Sequence, residues 1–172
     1  MCHARDRGVP HQFLGTSGDD TIDGNDNDNA MAGLAGDDTI DGNGGADAIC
    51  GNEDNDTIHG GAGNDSIDSG DNRDPEVSGG GGSDTIHAGA FGDLADGKDG
   101  PDFVDGDSGP DTTAGDSGQD VVEDGPGATA DDFLVGGPNS DEFHVCGEAG
   151  EGATPVDWVV GVEQVFVSNA FC

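Results

Sequence analysis

Basic residues are almost missing from this chain: 4 Lys and Arg stand against 38 Asp and Glu, for a formal net charge of -34. So acidic a surface repels phosphate backbones and anionic lipid, which disfavours nucleic acid as a partner and leaves membrane contact only through bridging cations. Aromatic residues make up 5% of the chain and tyrosine is absent, so the large side chains that dominate most cores are scarce. No apolar run is long enough to cross a bilayer and none follows Arg5 and Arg7, so neither a Sec-type signal peptide nor a transmembrane helix is expected. The cysteines, Cys2, Cys50, Cys146 and Cys172, form no CxxC pair and no finger spacing. Cys146 and Cys172 fall in the same C-terminal region, where an oxidising compartment would permit a disulfide. HExxH and GxSxG are also missing and no length is left for a catalytic domain, so the chain is not expected to be an enzyme.

Charge and low hydrophobicity alone describe an acidic disordered tail, unable to bury enough apolar surface to offset chain entropy. What is present contradicts that reading. The 34 glycines recur with the aspartates on a nine-residue beat: Gly15-TSGDDTID, Gly24-NDNDNAMA, Gly33-LAGDDTID, Gly42-NGGADAIC, Gly51-NEDNDTIH, Gly60-GAGNDSID, and later Gly79-GGGSDTIH, Gly97-KDGPDFVD, Gly106-DSGPDTTA and Gly115-DSGQDVVE. Two places after each aspartate stands an aliphatic residue, as at Ile22, Met31, Ile40, Ile49, Ile58, Ile67, Ile86, Val104 and Val122. A tail has no reason to keep that slot, whereas a stacked solenoid requires it.

In the pattern Gly-Gly-x-Gly-x-Asp-x-U-x, the first six residues turn and the last three form a strand with U on one face. Two units make one coil with a strand on each side, so the expected fold is all-β, a right-handed parallel β-roll in which U stacks inward. Thr21, Thr39 and Thr57 would face outward in one column, and Ala30, Ala48, Ser66 and Thr85 in the other. One thin aliphatic ladder is too small to hold so charged a chain together. The turns supply the missing energy. Rungs about 4.8 Å apart place the aspartates of alternate units in columns of carboxylates, and each neighbouring pair repels by about 1 kcal/mol in water and several-fold more when partly desolvated. A hard dication between turns reverses the sign. Ca²⁺ accepts six to eight carboxylate and carbonyl oxygens in a tolerant geometry. Mg²⁺ holds its waters, and a soft metal would want the His or Cys that the turns lack.

These units resemble the RTX (repeats-in-toxin) nonapeptides of haemolysin-type calcium-binding proteins, over residues 15–144 in about fourteen units. The resemblance implies several Ca²⁺ ions held by the side chains of Asp20, Asn29, Asp38, Asp47, Asp56, Asp65, Asp84, Asp93, Asp102, Asp111, Asp120, Asp132 and Asp141. Turn carbonyls near Gly33, Gly42, Gly51, Gly60, Gly79, Gly97, Gly106 and Gly115 would complete the sites. Each ion would be shared across alternate units, Asp38 with Asp56, Asp47 with Asp65, Asp84 with Asp102, Asp93 with Asp111 and Asp102 with Asp120. The resemblance further implies calcium-dependent folding, and a secreted or cell-surface location reached by a type I route, as a monomer whose protein partner is not named by the sequence.

Departures from the pattern set local expectations. Asn29 replaces an aspartate and gives a neutral ligand. The segment Ser69-GDNRDPEVS lengthens the spacing by one residue, which predicts a rim loop and leaves Asp74 outside the ligand set. Ala95 and Thr113 are poor ladder residues and predict loose rungs. Residues 1–14 read as a disordered lead-in, with Phe13 and Leu14 plugging the first rung. Residues 145–172 hold the most apolar segment, Val156-DWVVGVEQVFV, and read as strands capping the open end, with a C-terminal export signal as the second reading. Cys50 falls in an outward slot in column with Asp68 and His87, but a flat ladder offers no pocket or oxyanion donors for a Cys/His/Asp site. His59, His87 and His144 do not pair on adjacent rungs, which disfavours a zinc site. Alternative functions are an adhesive or ice-binding solenoid surface, for which a repeated Thr-x-Asn array is missing, and a calcium-binding remnant of a secreted protease or lipase.

Overall fold

The computed structural model describes residues 11–125, 132–145 and 164–167. Every unit extends where its aliphatic residue lies and turns where Gly and Asp cluster. The strands are β1 (His11–Leu14), β2 (Thr21–Asn25), β3 (Asn29–Ala35), β4 (Thr39–Asn43), β5 (Ala48–Glu53), β6 (Thr57–Ala62), β7 (Ser66–Gly70) and β8 (Glu76–Gly81). They continue as β9 (Thr85–His87), β10 (Leu94–Asp99), β11 (Phe103–Asp105), β12 (Thr112–Ala114), β13 (Val121–Glu123), β14 (Phe133–Val135), β15 (Glu142–Val145) and β16 (Gln164–Val167). Strands up to β15 alternate between two parallel sheets, a 9-stranded one of β1 and the odd strands ending in β16, and a 7-stranded one running from β2 to β14. No helix occurs among the described residues, and the result is a β-solenoid of about seven turns.

Register confirms the ladder. Ile22, Ile40, Ile58, Val77, Ala95, Thr113 and Leu134 stack on successive rungs of one sheet. Phe13, Met31, Ile49, Ile67, Ile86, Val104, Val122 and Phe143 stack in the other. The apolar residues form two clusters, one running from Ile22 to Val104 and one holding Val122, Leu134, Phe143 and Val145. The break falls at Thr113, which is buried yet joins neither cluster. Its hydroxyl is buried without a partner, so the weak rung anticipated there costs polar desolvation as well as lost packing. Ala95, by contrast, is fully buried within the first cluster.

Turn geometry explains which glycines matter. Positions two and four of the unit take positive φ, as at Gly61 (105°) and Gly63 (138°), a region glycine enters without a Cβ penalty. Leu34 (92°) and Phe91 (83°) are forced into the same region and both stay exposed.

Several expectations change. Val77 occupies the ladder, so the segment after Ser69 is a full unit; its extra residue, Pro75, lies between Asp74 and Val77. Cys50, expected outside, is buried and disulfide-bonded, with Ala32 as its buried neighbour on β3, and Ala30 is buried as well. Residues 11–14 of the lead-in form β1, where Phe13 packs on the ladder and Leu14 remains exposed. At the other end β16 adds one parallel strand beyond β15. The rest of the predicted cap, together with Cys2, Cys146 and Cys172, lies outside the described residues.

Candidate metal centre

Because units alternate between sheets, the sixth-position residues sort into two columns. One holds Asp20, Asp38, Asp56, Asp74, Asp93, Asp111 and Asp132, and the other Asn29, Asp47, Asp65, Asp84, Asp102, Asp120 and Asp141. Within a column each backbone N–H donates to the Oδ1 of the residue one rung on, from Asp20 to Asp38 (2.8 Å) through Asp111 to Asp132 (2.9 Å). The second column repeats this from Asn29 to Asp47 (2.7 Å) through Asp120 to Asp141 (3.1 Å). These bonds fix the carboxylate planes and aim each second oxygen into the turn.

That second oxygen has nothing to bind. From Asp38 to Asp120 in both columns, and in Asp141, Oδ2 is buried and accepts no hydrogen bond. Buried polar atoms are normally paired, and a recurring exception marks a place for an ion. In most units the space before it is kept open by a leading glycine. A Cβ built on Gly42 would lie 2.5 Å from Asp47 Oδ2 and 2.3 Å from the Gly60 carbonyl oxygen, and one on Gly60 would lie 2.6 Å from Asp65 Oδ2 and 2.5 Å from the Gly79 carbonyl. Glycine thus leaves a cradle in which a carboxylate oxygen from one unit and a carbonyl oxygen from the next rung converge. All-oxygen donors in a deformable setting fit Ca²⁺. Asp20 differs: its Oδ2 accepts from the Thr16 N–H at 2.6 Å and from the Thr16 hydroxyl at 2.9 Å.

Electrostatics agree with the geometry. Burial pushes the Asp56, Asp93 and Asp111 carboxyls up to about 7 and those of Asp65, Asp102 and Asp120 up to about 6, against the lowering effect of the backbone N–H each accepts. Carboxylates of the same column add to the rise. Without a counter-ion, Asp56, Asp93 and Asp111 hold their protons up to about neutral pH and Asp65, Asp102 and Asp120 up to about pH 6. A dication would restore their charge.

Asp74 belongs to the column, contrary to the sequence-based expectation. It is fully buried, accepts the Asp56 N–H at 2.8 Å and donates its own to Asp93 at 2.7 Å. The signal was present, since Asp74 follows Asp65 by the regular nine residues and the inserted proline comes after it. Asp74→Ala is therefore expected to strand the Asp56 N–H in the interior and lower stability in calcium by about 1–3 kcal/mol, as Asp56→Ala strands that of Asp38. Thermal unfolding checks this, and an unchanged midpoint for Asp74→Ala would return it to the rim. The units carrying Asp74 and Asp93 lack the leading glycine: Ser69 and Ala88 stand there, and the Ser69 hydroxyl donates to the Ala88 carbonyl at 2.5 Å. Their Cβ atoms narrow the cradles beside Asp74 and Asp93.

The outward faces are less regular. The Thr21, Thr39, Thr57 column gives way to Glu76 on the next rung, so no uniform array runs along the sheet. Cys50, Asp68 and His87 do share a column, but a disulfide removes the thiol.

Parallel rungs joined by Gly/Asp turns, with unpartnered oxygens stacked in the turns, define a metal-binding repeat solenoid. The chain belongs to the RTX calcium-binding nonapeptide repeat family, which matches residues 13–40, 23–58, 41–74, 76–95 and 87–122. RTX repeats bind calcium, and the buried aspartate stacks are where this chain carries the repeat. No curated protein matches it.

Proposed function

We propose that the chain is a secreted, non-enzymatic module whose folding is driven by calcium, held in two columns of ions between the turns. The ligands would be the aspartates of each column with Asn29, Asp74 included, and the leading carbonyls of the next rung. What carries the reading is the row of buried, unpartnered Oδ2 atoms facing glycine cradles. Because such sites exist only once the rungs stack, the free energy of binding is largely the free energy of folding. A chain of charge -34 stays extended where calcium is scarce, a form suited to export, and compacts in the calcium of the extracellular medium. Calorimetric titration of chelator-treated protein should give cooperative uptake of several Ca²⁺ with a simultaneous rise in β-sheet circular dichroism, while equal Mg²⁺ gives neither. Uptake of a single ion, or equal folding by Mg²⁺, would refute the proposal.

A further inference from the structure

The outward face of the 9-stranded sheet carries a second kind of donor set. His87 on β9 lies one rung from Asp105 on β11, and Asp107 follows in the turn. His87 Nδ1 stands 3.6 Å from Asp105 Oδ2 and 3.5 Å from Asp107 Oδ2, and the three donor atoms all lie within 4.8 Å of one another. These separations exceed those of a hydrogen-bonded pair. They match atoms sharing one cation, since ligands about 2.0–2.1 Å from a tetrahedral zinc stand roughly 3.4 Å apart. The neighbourhood holds all three in place. Asp105 Oδ1 accepts the Asp107 N–H at 2.9 Å, which leaves Oδ2 for the histidine. Asp107 takes φ of 60°, turning its carboxylate back over the sheet, and the His87 ring rests on Phe103 with centroids 5.8 Å apart.

Another histidine further along the same outward column provides the contrast. His144 contacts Glu123 through Nδ1 and Glu142 through Nε2, the latter at 2.9 Å, so both ring nitrogens are engaged in direct hydrogen bonds. His144 thus holds one carboxylate with each ring nitrogen, whereas His87 faces both of its carboxylates through the single atom Nδ1, at 3.5–3.6 Å. We propose that His87, Asp105 and Asp107 form a site for a borderline divalent cation such as Zn²⁺, separate from the calcium columns. One imidazole and two carboxylates fit zinc with open positions for water, and the imidazole makes the set a poor one for calcium. Carboxylates, one of them from a turn, take the place of the adjacent-rung imidazoles that the sequence lacks. In the metal-free site Asp105 and Asp107 push the His87 pKa up to about 10, so an entering ion displaces a proton.

The test is titration of the full, calcium-saturated chain with Zn²⁺, in which calcium occupies the turns, together with the visible spectrum of Co²⁺ as a probe of tetrahedral coordination. One saturable zinc equivalent is expected. It should be lost in His87→Gln and in Asp107→Asn, where asparagine keeps the left-handed turn, and retained in His144→Gln, with calcium-loaded circular dichroism unchanged in all three. No saturable zinc in the parent chain, equal uptake by His87→Gln, or loss in His144→Gln as well would overturn the proposal.

Discussion

Chelating calcium at pH 7.5 is expected to erase the β-sheet signal, and lowering the pH of the same chelated sample towards 5 is expected to bring part of it back. The first effect follows from two columns of carboxylates in which the second oxygens from Asp38 to Asp120 are buried and have no hydrogen-bond partner. The second follows from linkage. Burial raises the column aspartates to about 6 or 7 in the folded chain, as at Asp102 and Asp56, while the unfolded chain titrates near about 3.9. Between those values the folded state binds more protons than the unfolded one, so metal-free stability is fully present below pH of about 4 and is lost as pH rises through about 6 to 7. In calcium the order inverts, because protons and ions compete for the same oxygens and acid releases the metal. Circular dichroism against pH, with and without chelator, should therefore give two curves of opposite slope. A chelated sample that is most structured at pH 8 would contradict the electrostatic account.

Gly42→Val is expected to remove calcium binding on both sides of that turn and to split the solenoid. The new Cβ would meet the Gly60 carbonyl oxygen at 2.3 Å and Asp47 Oδ2 at 2.5 Å, so the rungs must separate or the carboxylate must swing away. Either movement destroys the cradle. Each rung contacts only its neighbours, so one broken interface uncouples the segments before and after it. The loss should appear as fewer bound ions and as two unfolding transitions where the parent has one. Ser69→Gly is the counterpart of opposite sign: it opens the cradle beside Asp74 and should strengthen calcium uptake there. Identical calcium stoichiometry in the parent and Gly42→Val would mean that the ions sit elsewhere.

The architecture could be read from the sequence because its signals are local and repeated. An aliphatic residue two places after each aspartate sets the ladder, and the nine-residue period sets which aspartates share a column. Reading failed where one unit broke the count. Pro75 inserts between Asp74 and Val77, hiding a ladder residue and casting doubt on an aspartate still in phase with Asp65. It also failed for Cys50 and Ala30, whose alternation points outward although both are buried, because alternation says nothing about what covers a face. The His87 group depends on three facts no single repeat contains: the pairing of β9 with β11, the left-handed turn at Asp107 and the ring of Phe103. The empty valence of Oδ2 was likewise out of reach, since the sequence places the carboxylates in columns but not the hydrogen bonds that use one oxygen of each.

The most direct test of the central claim is a crystal structure of the chain grown in calcium, with anomalous scattering used to identify the ions. Dications are predicted in the turns of both columns, about 2.3–2.6 Å from the Oδ2 atoms and from the leading carbonyl of the next rung. A well-ordered stack whose Oδ2 atoms meet only water or protein donors would contradict it.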